Sequence, residues 1–405
     1  MSLTTLMPQR NSVRRWLDKK IAKLDANPTS PDDWHPVIQE FLTLIEGDPI
    51  LSMDCDDMFK QIPDKSRFDW SPEEVPQVRD YKHMLSLFDH ILNCSPEWED
   101  NSMVCYPMQA ILDWPLHTTA GQAVFSNPLV NAQFKKVFNV WAEYLSSCDS
   151  TYVLTKDDNG WLGPSAIGEP SADFETTFVC DPTDKHYGFK SWDDFFTRKF
   201  RPGARPIAEP DNDAVITNSC ESIVYRISQN VQANDRFWLK NQPYSLEHMF
   251  NRDPLTPLFV GGTVYQAYLT SKSYHRWHSP VSGVVTKVVH IPGSYFRIYP
   301  TEIPDDRPDD LGQTVCSHAS TVLIFMEGDH PGVGLMCVMA VGMIEVSTCE
   351  VTVQKGARIR KGDELGSFHF GGSTYCLVFR PETELVFSIK TGDKALLNTK
   401  IAQAV

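Results

Sequence analysis

The chain has 405 residues, with 37 lysines and arginines against 52 aspartates and glutamates, for a formal charge of -15. That length suits two to three domains of ~150 residues, and 41% hydrophobic with 22% charged residues is the composition of a folded globular protein. The acidic balance argues against a partner such as nucleic acid and against firm membrane attachment to anionic lipid, which leaves a small-molecule ligand.

The first helix expected is basic and amphipathic. Arg10, Arg14, Arg15, Lys19, Lys20 and Lys23 interleave with Val13, Trp16, Leu17, Ile21 and Leu24. It reads as the opening surface helix of a helical domain, with a transit or membrane-surface role as the alternative. Further helices follow at Val37 to Ile45, with Ile38, Phe41, Leu42 and Ile45 on one face, and at Tyr81 to Leu92, with Tyr81, Met84, Leu85, Phe88, Ile91 and Leu92. A third, Pro128 to Ser147, aligns Phe134, Val137, Phe138, Trp141 and Leu145. Between Asp149 and Tyr187 the pattern breaks at Asp157, Asp158, Asn159, Gly160, Gly163, Pro164 and Pro170, as in a linker or crossing segment.

From about Ala214 the period becomes 2. Strands are expected at Ala214 to Ile227, Thr263 to Leu269, Gly283 to His290, Thr321 to Met326, Leu335 to Val346, Val351 to Val353 and Leu377 to Phe379. The most apolar stretch, Pro331 to Ile344, is too short to cross a bilayer and reads as buried strands. Ten cysteines without a C-x-x-C pair read as reduced thiols of an intracellular protein. The organisation expected is α+β: a helical region over 1-150, a crossing segment over 151-190 and a β-rich catalytic region over 191-405. The glycine-punctuated run Val351 to Gly366 resembles the β-sandwich (barrel-sandwich) repeats of biotinyl and lipoyl carriers. Asp393-Lys-Ala395 lies downstream of that repeat, so a carrier lysine is not expected.

Two motifs carry the chemistry. In Phe368-His-Phe-Gly371-Gly372-Ser373-Thr374, paired glycines either make an ordinary turn or let the Ser373 hydroxyl approach the Gly372 carbonyl. The second outcome is an N-to-O acyl shift, followed by β-elimination and hydrolysis to a pyruvoyl group. Tyr274-His275-Arg276-Trp277-His278-Ser279-Pro280 supplies two histidines three residues apart. Pro280 and Gly283 set them in a strand or its entry turn, and without a third ligand nearby no metal is expected. None of the twelve histidines precedes a lysine, so pyridoxal phosphate (PLP) is not expected either.

Tyr274 to Gly283 and Val351 to Thr374 together resemble the phosphatidylserine decarboxylase family, supported by Ser191 to Arg198, Arg205-Pro206-Ile207, Phe237 to Lys240 and Tyr244 to Leu246. The likeness runs from about Phe189 to the end. It implies self-cleavage between Gly372 and Ser373, with the pyruvoyl cofactor made from Ser373 and α and β chains cut from one precursor. It implies His278 as base of the maturation triad and His275 as proton donor in decarboxylation, with a pKa near working pH. The family's triad aspartate sits in an Ala-Asp-Gly segment. Here that segment reads Cys220-Glu221-Ser222, which makes Glu221 the corresponding carboxylate.

The changed segment and the helical extension are similar to the soluble fungal branch that includes the tryptophan decarboxylase of psilocybin biosynthesis. That likeness implies a cytoplasmic enzyme, a possible homodimer, acting on an aromatic L-amino acid, tryptophan to tryptamine. Trp238, Lys240, Tyr274, Trp277 and Phe296 are the candidate substrate contacts. Phosphatidylserine decarboxylation to phosphatidylethanolamine and a non-enzymatic β-sandwich binding protein are the alternatives.

Overall fold

The computed structural model describes residues 7–62, 75–98, 106–168, 171–234, 237–239, 242–270, 272–293, 295, 320–342, 348–371 and 373–405, without the side chains of 7–12, 172, 237–239, 242–244 and 373. Helices occupy the N-terminal region at Met7–Ala26, Pro36–Gly47, Pro49–Lys60, Tyr81–Ile91, Pro107–Leu112, Thr119–Ser126 and Pro128–Leu145. Their starts are written locally. Asp48, Asp80, Thr118 and Asn127 each accept a backbone N–H of the first turn, and proline follows directly at Pro49 and Pro128. The basic helix turns Val13, Trp16 and Leu17 into the same core as Phe41, Phe88, Phe134 and Trp141, so its apolar face is occupied within the chain.

The irregular segment after Asp149 is packed. Val153, Leu154, Trp161, Leu162, Phe174 and Tyr187 enter that same core, and Trp161 Nε1 donates to the Pro96 carbonyl at 2.8 Å. Glycine and proline break its periodicity while these apolar side chains stay buried, and Lys156, Asp157, Asp158 and Asn159 face solvent. Gly160 sits where a Cβ would lie 2.1 Å from the Thr155 carbonyl oxygen.

The β-rich region is built on an eight-stranded antiparallel sheet. In spatial order its strands are Arg358–Ile359, Gly283–Ile291, Thr321–Gly328, Leu335–Gly342, Ser373–Phe379, Thr263–Leu269, Ser222–Ser228 and Lys394–Ala395. Thr321–Gly328 and Leu335–Gly342 are nearly continuous runs of buried residues because both faces are covered. Val322, Ile324 and Met326 enter one core, while Leu323 and Phe325 enter another that includes Leu246, Met249 and Phe259.

A three-stranded sheet joins Thr348–Val351, Glu364–His369 and Arg276–His278. Glu364–His369 was not expected as a strand because Gly366 interrupts its pattern. The glycine has a packing cause: a Cβ there would lie 2.2 Å from the Glu350 carbonyl oxygen and 2.6 Å from the Trp277 ring. Gly366→Ala is therefore expected to cost about 1–3 kcal/mol, read as a lower urea midpoint with an unchanged slope.

Candidate active site

The connector that carries the expected cleavage site joins these two sheets. Glu364–His369 ends in one, and Ser373–Phe379 begins at the centre of the other, pairing Ser373 with Leu269 on one side and Gly342 on the other. Gly372 lies outside the described residues, as does the side chain of Ser373. Both motif histidines reach the same place through backbone pairing. His278 is opposite Glu364, and Phe368 N–H donates to the His275 carbonyl at 2.8 Å, five residues before Ser373.

Their rings face different surroundings. His278 Nδ1 lies 2.8 Å from the Gly362 carbonyl and Nε2 lies 2.9 Å from the Tyr274 hydroxyl. A carbonyl only accepts, so Nδ1 carries the proton and the Nε2 lone pair faces Tyr274. Burial pushes the His278 pKa down, with the Gly362 hydrogen bond opposing it, so the ring is held neutral with its basic nitrogen defined. Gly362, at φ +84°, provides the backbone turn that presents this carbonyl.

His275 is completely buried and stacks on Phe196 with ring centroids 3.8 Å apart. Neither ring nitrogen completes a hydrogen bond. Burial, reinforced by the nearby Arg198 charge, drives its pKa well down; backbone groups of Phe196, Thr270 and Ser273 favour the charged form only weakly by comparison. Burial thus holds the ring neutral in this structure.

That burial sets a pH dependence. A neutral buried histidine binds its proton less readily than the unfolded chain does, so its contribution to stability is full above about pH 6.5 and falls as pH drops below it. His275→Phe is expected to remove this loss, at up to about 1.4 kcal/mol per pH unit, measured as the wild-type-minus-variant difference in urea stability between pH 7.5 and 5.

Glu221 is positioned differently from the sequence expectation. Its Oε1 accepts from Arg205 Nε at 2.6 Å and from the Leu397 N–H at 3.3 Å, while His278 Nδ1 is taken by Gly362. The carbonyl thus fills the orienting place expected for the carboxylate, and the guanidinium takes the carboxylate instead. Arg205 lies 4.6 Å over Phe200, and Phe200 packs 4.1 Å from Tyr274, so Glu221 reaches His278 through three intermediates. The Glu221 segment itself is fixed by backbone bonds, with His278 N–H donating to Ser219 and Thr217 N–H donating to Pro280.

Of the candidate substrate contacts, Lys240 and Phe296 lie outside the described residues, as does the Trp238 side chain. Trp277 is fully buried against Phe368 and Gly366, so it is a core residue and lines no open pocket. Tyr274 is buried too, with its hydroxyl on His278. A cavity of about 290 Å³ lies beside these motifs, lined by Trp161, Phe174, Phe178, Phe195, Arg198 and Lys272. Arg198 joins it to the site by donating to the Lys272 and Ser273 carbonyls at 2.6 and 3.2 Å, just ahead of His275.

Sequence reasoning missed His369 and Asp193, and with them Glu350. His369 Nδ1 lies 2.9 and 3.1 Å from the two Asp193 oxygens, and its Nε2 lies 2.8 Å from Glu350. His369 and Asp193 belonged to quoted motifs, but they are 176 positions apart and only the fold joins them. Among the described residues, no group of three histidine, cysteine or acidic side chains is arranged to hold a metal ion, and none of the helices is long and apolar enough to cross a membrane.

Comparison with known proteins establishes the family. A family model described as phosphatidylserine decarboxylase matches residues 192–403, more than half of the chain, and a second of the same description matches 35–169. The chain belongs to the phosphatidylserine decarboxylase family. It is 37% identical over 369 residues to an L-tryptophan decarboxylase of Psilocybe cubensis, covering 85% of this chain and 80% of that protein. It is 41% identical over 317 residues to decarboxylase iboD of Amanita muscaria, covering 73% of this chain and 91% of the relative. A phosphatidylserine decarboxylase proenzyme of Schizosaccharomyces pombe is 32% identical over 194 residues, which cover 48% of this chain and 19% of that protein.

The chain is a decarboxylase, a carboxy-lyase, with the mixed α+β architecture expected, and its family is pyruvoyl-dependent. The residues present fit such a group. Both His275 nitrogens, Thr374 Oγ1 beside Ser373, and Ser219 Oγ are buried polar atoms without partners. The unmet hydrogen-bonding capacity of His275, whose carbonyl accepts from the Phe368 N–H on the way into the connector, is what a carbonyl-bearing group there would use.

Proposed function

We propose that this protein cuts itself between Gly372 and Ser373, leaving a β chain of residues 1–372 and an α chain of residues 373–405 that begins with a pyruvoyl group. The mature enzyme decarboxylates an aromatic L-amino acid in the cytoplasm, converting tryptophan to tryptamine. The observation that carries this reading is the pairing of the Arg276–His278 strand, and of the His275 carbonyl before it, with the strand that leads toward Ser373. Extended similarity to a tryptophan decarboxylase, across most of both chains, supports the substrate.

In maturation, His278 Nε2 accepts the Ser373 hydroxyl proton as that oxygen attacks the Gly372 carbonyl, while the Gly362 carbonyl holds Nδ1–H in place. The Tyr274 hydroxyl occupies Nε2 beforehand and yields it to serine. Glu221 supports the base only indirectly, by fixing Arg205 against the Phe200–Tyr274 stack that reaches His278. A pyruvoyl ketone, once formed, supplies the electron sink that loss of CO₂ requires. His275 acts on the proton returned to the substrate's α-carbon, in a site that Phe196 and burial keep dry. The cavity lined by Trp161, Phe174, Phe178 and Phe195 offers a place for the substrate's ring.

After cleavage the α chain stays in place. Thr374–Phe379 remains paired on both sides, and Lys400–Ala404 remains between Val215–Thr217 and Leu385–Phe387. The two fragments are expected to co-elute on gel filtration and to separate only in denaturant. Release of labelled CO₂ from carboxyl-labelled tryptophan, against phosphatidylserine vesicles labelled in the serine carboxyl, tests the substrate. CO₂ from tryptophan supports the reading; CO₂ only from the vesicles replaces it with the phospholipid activity.

A further inference from the structure

The connector that would be cut is gripped immediately upstream. His369 is the last residue of its strand and is held from opposite sides by carboxylates on two different elements. Asp193 comes from the Trp192–Phe196 helix and is buried to 9% exposure, whereas Glu350 comes from the neighbouring strand and its side chain is 59% exposed. Ser367 Oγ also lies 3.2 Å from Nε2. The next residue, Phe370, takes φ +63°, a conformation that costs a bulky residue about 1 kcal/mol or more. Its ring is buried among the helical-region residues that include Phe134, Trp161 and Trp192. Thus one anchor holds His369, a second holds Phe370, and the backbone between them is strained two residues before Gly372.

We propose that the Asp193–His369–Glu350 clamp is a positioning latch for self-cleavage, pinning the upstream end of the connector so that the Gly372 carbonyl is presented to the Ser373 hydroxyl. The clamp rests on the self-cleavage reading above. It works as built only with an imidazolium. A carboxylate oxygen accepts, so both ring nitrogens must donate, and a neutral ring would turn a lone pair toward one carboxylate. Burial opposes the charge at His369, yet Asp193 and then Glu350 outweigh it and raise its pKa. These are the ionisable groups whose contacts and charges act on this ring; Asp193 has the larger share, because water screens the exposed Glu350.

Maturation then needs His278 neutral and His369 protonated. Its rate has a bell-shaped pH profile whose alkaline limb belongs to His369. The same helix carries Phe196, the residue under His275, so the latch also ties the cleavage connector to the decarboxylation histidine.

The test follows appearance of the 33-residue fragment from freshly translated full-length precursor between pH 5 and 9. His369→Gln is expected to slow cleavage by about 10-fold or more. His369→Arg, which keeps two donors and a fixed charge, is expected to recover most of the rate and to lose the alkaline limb. Glu350→Gln, at an exposed position that need not disturb folding, is expected to move that limb to lower pH. Wild-type cleavage that keeps its rate in His369→Gln, or an alkaline limb unchanged in His369→Arg, overturns the latch while leaving self-cleavage intact. A wild-type chain that never cleaves overturns the maturation reading itself.

Discussion

Ser373→Ala is expected to remain a single chain of 405 residues and to release no CO₂ above background. Alanine has no side-chain oxygen to attack the Gly372 carbonyl, so neither the new chain end nor its ketone can form. The loss is therefore of the whole catalytic group, about 10⁶-fold or more in turnover. Folding should be preserved, because Ser373 enters a strand whose pairing with Leu269 and Gly342 uses backbone groups alone. A matched melting temperature, read beside a single band on a denaturing gel, separates loss of chemistry from loss of structure. An alanine variant that still decarboxylates at the wild-type rate would remove Ser373 from the mechanism.

The two histidines should then divide the work. His278→Ala removes a neutral imidazole whose Nε2 is the available base, and cleavage is expected to slow by about 10²- to 10⁴-fold, so that precursor accumulates. His275→Ala is expected to cleave, because that ring stacks on Phe196 away from the Tyr274 and Gly362 partners of His278. Once cleaved it should turn over about 10²- to 10⁴-fold more slowly, with kcat reduced more than KM is changed. Removing a ring buried on Phe196 also costs stability, so kcat is compared on cleaved, folded protein. Normal cleavage in both variants would refute the assignment, as would arrest of His275→Ala with normal folding.

Much of the fold could be read from residue patterns. Helices 36–47, 81–91 and 128–145 follow the i, i+3, i+4 recurrence, and their starts follow from side-chain caps. Within the apolar run that starts at Pro331, Leu335–Gly342 is a buried strand because two separate cores cover its sheet. What periodicity hid was hidden by particular packing. Gly366 breaks the Glu364–His369 pattern because the Trp277 ring and a carbonyl occupy the space of a side chain. The Asp149 to Tyr187 stretch has no regular period because Trp161, Leu162, Phe174 and Tyr187 enter the helical core from turns and short helices.

The site was legible in part for the same reason. Ser373, His275 and His278 stand in local motifs, and the strand register then brings those motifs together. Partners from distant segments could not be read that way. The Asp193–His369 pair depends on how the Trp192–Phe196 helix packs, and the Gly362 carbonyl at His278 depends on a single glycine turn. Glu221 shows the limit of motif correspondence. Its identity suggests a partner for His278, whereas the guanidinium of Arg205, close by in space, holds its carboxylate. The helical region, which carries no chemical motif, takes on a role only through Phe370, whose ring it buries beside the cleavage connector.

Intact mass of the purified, denatured protein, with and without phenylhydrazine, tests the central claim most directly. The account predicts two species, residues 1–372 and a 33-residue C-terminal peptide blocked to Edman degradation, with only the peptide gaining one hydrazone adduct. A single 405-residue chain that decarboxylates and takes up no phenylhydrazine would contradict it.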